Sequence, residues 1–337
     1  MIIDFEHHIY LPEQTVPGKS QSGKITERHW EEKGKLRIRI FEEASNVDQC
    51  LQFMNDAGID MAVLTANSFT GGLEQMKRWN DLCAGIIKNN RSRFVGFACV
   101  PPLGGKPALE ELERAAKELG MKGVHIWTRN EGRHLDDREM WPFYEKAAEL
   151  NLLVDVHVTL EPSGLEAIRS SYGLYYVLAR EFDMAISTLR LCLGGVLEDF
   201  PDLVFIMNHF GGGVSSVVER LDAYMDYLGS GWDSFYTGKP LISRPWKEYW
   251  DKLYFNIAGR EMGVASMKCA LTNIKPEKLL FGTDWPFNYD YRPQTVREYV
   301  GEIRKLELPA GSAEAILGGN AARILGLKTG NQNRRAG

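Results

Sequence analysis

At 337 residues, 44% apolar and 25% charged, the chain has the composition of a globular protein with one large core, and barrels of this length commonly fold as a single domain. A net charge of -5 gives no basis for expecting nucleic acid or a membrane as partner, and no apolar run approaches the roughly 18 residues that a membrane span needs. The five cysteines (Cys50, Cys83, Cys99, Cys192, Cys269) are dispersed, odd in number and in apolar company; with no basic leader at the N-terminus they fit buried free thiols in a cytoplasmic enzyme, not a disulfide framework.

Short β-branched and aromatic runs alternate with longer stretches of helical periodicity, the pattern of a parallel sheet with crossover helices. In chain order, strands are predicted at 2–5, 61–66, 94–100, 123–127, 152–158, 203–209, 253–257 and 278–282. Amphipathic helices are predicted between them, among others at 46–57, 108–119 and 139–150. Repeated βα units in one chain point to a closed barrel, because closure leaves no parallel edge exposed. No Gly-x-Gly-x-x-Gly follows the first strand to favour an open dinucleotide-binding sheet. The expectation is therefore an α/β protein, a single (β/α)8 TIM barrel over residues 1–328, with long loops over the C-terminal face and a disordered tail at 329–337. Two connections exceed the usual length: 9–45, rich in Lys and Arg, and 228–250, which carries Trp232, Phe235, Tyr236 and Trp246. Both are expected to overhang the catalytic face, and the second is an expected interface of a homo-oligomer, a dimer or tetramer.

Four of the seven histidines, His8, His125, His157 and His209, fall in or just beyond predicted strands that are otherwise apolar. In a barrel the C-terminal ends of different strands converge on one catalytic point. Strand 1 ends Asp4-Phe5-Glu6-His7-His8; alternation sends Glu6 and His8 to one side and His7 to the other, so a carboxylate and an imidazole form a clip for a metal ion. Strand 5 places His157 at its end, with Asp155 one layer deeper. Strand 6 runs into His209-Phe210-Gly211-Gly212-Gly213, where glycines let the backbone approach a ligand closely. Strand 8 ends Gly282-Thr283-Asp284-Trp285-Pro286. Each end also has a plain structural reading: a polar strand end, a satisfied core histidine, a glycine turn, an aspartate helix cap. Together, carboxylates and imidazoles at four apolar strand ends face heavy desolvation unless something binds them. One divalent cation satisfies them at once and leaves a position for water or substrate.

Further marks are Phe94-Val95-Gly96-Phe97-Ala98-Cys99-Val100-Pro101-Pro102, Met121-Lys122-Gly123-Val124-His125, Phe200-Pro201-Asp202-Leu203 and Ile316-Leu317-Gly318-Gly319-Asn320-Ala321-Ala322. In this order and spacing, across nearly the whole chain, these motifs resemble the amidohydrolase-2 branch of the amidohydrolase superfamily, which holds aminocarboxymuconate-semialdehyde decarboxylase and the resorcylate and carboxyvanillate decarboxylases. The resemblance implies that Glu6, His8, His157 and Asp284 hold one divalent ion, zinc or manganese, and that His209 stands beside it as a proton-transfer or activating residue. The Glu6-His7-His8 start, in place of a His-x-His, is similar to that of the resorcylate and carboxyvanillate enzymes. Those enzymes tend to carry an acid soon after the strand 6 histidine; Gly212 and Gly213 stand there instead, which resembles the aminocarboxymuconate-semialdehyde enzyme.

The reaction expected is non-oxidative decarboxylation of an aromatic or unsaturated carboxylic acid, a small-molecule partner. Asp284 is the expected proton donor, with His209 sharing that task or orienting the carboxylate. Candidate substrate contacts are Arg260 after strand 7, Arg129 after strand 4, His125 and Trp127. For the arginines a surface ion pair competes with that role, and for Trp127, Trp285 and Phe287 core packing does. The rival reaction is hydrolysis of a lactone, ester or amide by a metal-activated water, with Asp284 as base. A hydratase is a third outcome, and a catalytically silent barrel is the reading outside enzymes.

Overall fold

All six residues of the first strand, β1 (Ile3–His8), are buried, acids and imidazoles included, so this strand has protein on both faces. It belongs to a computed structural model that describes residues 1–19, 25–30, 36–66, 72–159, 172, 174–229, 238–259, 262–287 and 292–327. The other strands are β2 (Thr26–Trp30), β3 (Leu36–Ile40), β4 (Met61–Thr65), β5 (Phe94–Cys99), β6 (Gly123–Trp127), β7 (Leu153–His157), β8 (Phe205–Met207), β9 (Tyr254–Asn256) and β10 (Leu279–Leu280). Eight of them form one sheet in the order β1-β4-β5-β6-β7-β8-β9-β10, and every neighbouring pair is parallel. The chain beyond β10 brings the last strand back to the first. Phe5 N–H donates to Phe281 O at 2.8 Å, His8 N–H to Trp285 O at 2.9 Å, and His7 and Trp285 form a parallel bridge. The expected (β/α)8 barrel is the fold.

The crossover helices follow from amphipathic sequence between capped ends. The helix Val47–Ala57 is typical: Asn46 caps its start by accepting from Gln49 N–H, and Gly58, at φ +77°, ends it in the left-handed region. Its buried residues, Cys50, Phe53, Met54 and Ala57, recur at helical spacing and face the sheet. Inside the barrel, Ile3, Phe5, Val63, Val95, Phe97, Leu153, Ile206 and Leu280 pack with Ala321, Ala322 and Leu325 of the C-terminal helix, which stops the strand-entry end. Burying a Leu or Phe contributes about 1.5–3 kcal/mol each, so this layer is a solid floor under the polar strand ends. No helix among the described residues is long and apolar enough to cross a membrane.

Several expectations change in detail. Asp4 pairs with Ala62 and His7 with Leu64, so Phe5 and Glu6 together oppose the single Val63. This bulge flips the alternation within β1: Phe5 joins the apolar floor, while Glu6 and His8 face the centre above it. Strand 6, predicted to run to His209, ends at Met207. The 9–45 connection holds an antiparallel hairpin of β2 and β3 instead of a structureless loop. Its alternation, Leu36-Arg37-Ile38-Arg39-Ile40, is a period-2 strand pattern obscured by basic composition. In the second excursion, Leu241 N–H donates to Leu193 O at 2.7 Å and Ser243 Oγ–H to Glu198 Oε1 at 2.6 Å. A helix runs antiparallel to the strand before it, so the C-terminal end of Arg180–Leu193 lies at the strand-entry side, and residues 241–243 lie there with it, away from the catalytic face. Residues 230–237, with Trp232, Phe235 and Tyr236, and the predicted tail 329–337 lie outside the described residues.

Candidate metal centre and active site

Three strand ends deliver one cluster. Glu6 and His8 from β1, His157 from β7 and Asp284 beyond β10 each offer one ligand atom, all four buried and all within 4.8 Å of one another. Glu6 Oε1 lies 3.2 Å from His157 Nε2 and 4.0 Å from His8 Nε2, and His8 Nε2 lies 3.0 Å from Asp284 Oδ1. His209 joins from the turn after β8, its Nε2 at 3.7 Å from Glu6 Oε1.

Neighbouring side chains fix these groups. Asn208 Nδ2 donates to Glu6 Oε1 at 3.0 Å, and Thr65 Oγ1 lies 3.0 Å from His8 Nδ1. His157 Nδ1 lies 3.1 Å from Val158 O; a carbonyl only accepts, so Nδ1 carries the proton and Nε2 of the neutral ring is a bare lone pair. His209 Nδ1 is bonded to Glu181 Oε1 at 2.7 Å.

The donor set fits a divalent ion on its own chemistry. Glu6 Oε2, His157 Nε2 and His209 Nε2 are buried and have no hydrogen-bond partner among the described residues. His157 Nε2 and Glu6 Oε1 face each other as two lone-pair acceptors, which repel unless positive charge comes between them. A proton does not supply it, because burial and the surrounding imidazoles hold His157 well below the ordinary histidine range. Neutral imidazole and carboxylate are the ligands that divalent transition ions take.

The remaining charges are set by burial and close partners. Burial pushes the Glu6 carboxyl up, but His209, His8 and His125 together outweigh it and the group is held below the usual carboxylate range. Burial pulls His209 down, but Glu181 and then Glu6 outweigh that and hold it well above its usual value. His125 is pulled down to about 3, first by burial and then by His8. Its Nδ1 sits 2.6 Å from Asp155 Oδ2, and burial followed by the Glu6 charge raises Asp155 well above the carboxylate range.

The backbone turns sharply to deliver these groups. His209 (φ +54°), Ala258 (φ +47°) and Asp284 (φ +53°), just past three adjacent strands, are non-glycine residues in the left-handed region. Such strain concentrates at functional sites, where surrounding structure holds it in place.

Of the predicted substrate contacts, His125 lies on the barrel interior with its ring 5.5 Å from that of His157, its Nε2 buried and without a hydrogen bond among the described residues. Half-buried Trp127 meets the His125 ring edge-on at 5.6 Å. Arg129 Nε donates to buried Asp183 Oδ1 at 3.1 Å. Arg260 lies outside the described residues. Trp285 stacks on His7 at 4.7 Å inside the core, and Phe287 meets the His8 ring at 5.9 Å. Sequence reasoning missed Glu181, Asn208 and Thr65. Asn208, beside His209 at an apolar strand end, carried the same signal as the histidines; Glu181, on an amphipathic helix, carried none.

The Amidohydrolase family model matches residues 3–327. The chain is 27% identical over 258 residues to the decarboxylase orsB of Emericella nidulans, covering 73% of this chain and 75% of that protein. To the gamma-resorcylate decarboxylase of a Polaromonas species it is 26% identical, over 86% of this chain and 89% of that one. The solved 5-carboxyvanillate decarboxylase LigW from Sphingomonas paucimobilis superposes with a TM-score of 0.72 at 25% identity, over 85% of each chain. With a matching model over nearly its full length and a barrel to go with it, the chain belongs to the amidohydrolase family.

Proposed function

We propose that this chain is a metal-dependent carboxy-lyase that removes CO2, without oxidation, from an aromatic or unsaturated carboxylic acid. The observation that carries this reading is the buried cluster of Glu6, His8, His157 and Asp284 with His209 Nε2 aimed into it. The decarboxylases among its relatives, similar over most of their length, support this reaction over hydrolysis. One divalent ion, zinc or manganese, held by the four residues would supply positive charge for the substrate carboxylate and a neighbouring oxygen.

The protein's own residues do the rest. Asn208 and Thr65 hold Glu6 and His8 at fixed orientation. The bond from carbon to carboxylate breaks, its electron pair stays on carbon, and one proton must join that carbon. Asp284 delivers this proton, and His209, directly across Glu6, orients the carboxylate or shares the transfer. His125 and Trp127 line one side of the planar substrate, and Arg260 is the cation that pairs with its charge, since Arg129 is engaged by buried Asp183. Exposed apolar side chains Val177, Phe182 and Ile186 support a homo-oligomer, and the buried free cysteines fit a cytoplasmic setting.

The test is CO2 release from hydroxybenzoate and muconate-type acids by metal-loaded protein. Release from at least one acid is expected. Release from none, alongside turnover of a lactone panel, overturns the reading in favour of a hydrolase.

A further inference from the structure

The turn after β8 brings a carboxylate to His209 from an element that supplies none of the strand-end groups. Residues His209 to Gly213 all lie in the left-handed region, so the chain coils through one left-handed turn against the helix Arg180–Leu193. A Cβ on Gly212 would collide with the Glu181 carbonyl oxygen and lie 2.6 Å from Ala185 N. A Cβ on Gly211 would lie 3.0 Å from the Phe255 ring and 3.1 Å from Thr188 Oγ1. Only backbone without side chains comes this close to the helix.

That approach sets Glu181 Oε1 at 2.7 Å from His209 Nδ1. A carboxylate only accepts, so Nδ1 is protonated and Nε2 is the nitrogen turned toward Glu6. Glu181 is itself held in place. Two residues on, buried Asp183 ties the same helix to Arg129 at 3.1 Å.

We infer that Glu181 is a positioning residue for His209: it fixes the ring with Nε2 toward the cluster, and the glycines of the left-handed turn are what let it reach. The activity part of this inference rests on the decarboxylase reading, and the structural part does not.

The test uses zinc-loaded protein carrying 15N-histidine, with His209 assigned through the loss of its signals in His209→Asn. Long-range 1H–15N spectra of the wild type are expected to show His209 protonated at Nδ1. In Glu181→Ala that pattern gives way to a mixture of ring forms. In the same variant kcat falls on the order of 10–100-fold, while KM and bound zinc change less than about twofold. Glu181→Gln keeps an accepting oxygen and recovers part of the loss. A wild-type His209 with a bare Nδ1 overturns the inference, and so does Glu181→Ala with wild-type kcat and an unchanged His209 pattern. Loss of zinc or of helical circular dichroism in Glu181→Ala that Glu181→Gln does not recover reduces Glu181 to a structural role and also overturns it. If the wild type decarboxylates no acid in the panel, the proposed reaction fails while the ring-form readout still decides the Glu181 assignment.

Discussion

Thr65 and Asn208 meet the cluster only through the residues they hold, yet each fixes one group's direction: Thr65 at His8 Nδ1 and Asn208 at Glu6 Oε1. Groups that orient metal ligands typically matter on the order of 10–100-fold in metal affinity. Thr65→Val and Asn208→Ala are expected to weaken zinc binding by that order, read by competition against a chromogenic chelator. Unchanged affinity in both would show that the cluster is oriented by packing alone. The clustered Glu6, His8, His157 and Asp284 were legible in sequence because a charged or imidazole side chain at the end of an apolar strand is anomalous. Thr65 was not, because threonine is at home in a strand. A second residue-scale expectation concerns thiols. Cys50, Cys83, Cys99 and Cys192 are buried and Cys269 is partly exposed. Burial pushes the Cys83, Cys99 and Cys192 thiols up, away from the reactive thiolate. Alkylation of native protein followed by mass spectrometry is therefore expected to mark Cys269 first, and the other four only after unfolding.

At the level of elements, the site depends on how the barrel closes. Asp4 faces away from the centre and gathers His7 Nδ1 at 2.8 Å, Thr283 N–H at 2.8 Å and Thr283 Oγ1–H at 2.6 Å. Thr283 Oγ1 also accepts from Trp285 N–H at 3.1 Å. This knot ties β1, which carries Glu6 and His8, to the segment that carries Asp284. Thr283→Val leaves the buried Trp285 N–H without its acceptor, at a cost of about 1–3 kcal/mol. A lower urea midpoint at unchanged m-value is expected, with metal stoichiometry falling alongside because Asp284 loses its anchor. An unchanged midpoint would mean that the seam is held by backbone bonds alone. The bulge in β1 was not legible in sequence, since alternation holds on each side of it and the shift appears only in pairing with β4. The β2–β3 hairpin stayed hidden for a different reason. Its strands alternate with arginines, so composition reads as a solvated loop while period reads as a strand.

Across the whole molecule, the barrel has two ends with separate jobs. The strand-entry end is an apolar floor stopped by Leu325 and its helix; the other end holds the polar cluster. Metal at about 100 times its Kd should stabilise the folded state by about 2.7 kcal/mol. Stripping with a chelator is thus expected to lower Tm, re-addition of zinc or manganese to restore it, and Asp284→Asn to respond to neither. Leu325→Ala, which opens a cavity in the floor, should cost about 2–5 kcal/mol. Because Leu325 packs in the floor, apart from the polar cluster, the two perturbations should add to within about 0.3–0.5 kcal/mol. Denaturant titrations of wild type and Leu325→Ala, each with and without metal, measure this directly. Additivity means that the floor carries the fold while the strand ends carry the chemistry. A larger discrepancy would mean that packing at the base sets the geometry of the cluster, and then Phe5 is the residue to suspect, because it sits in that floor immediately before Glu6 within the β1 bulge.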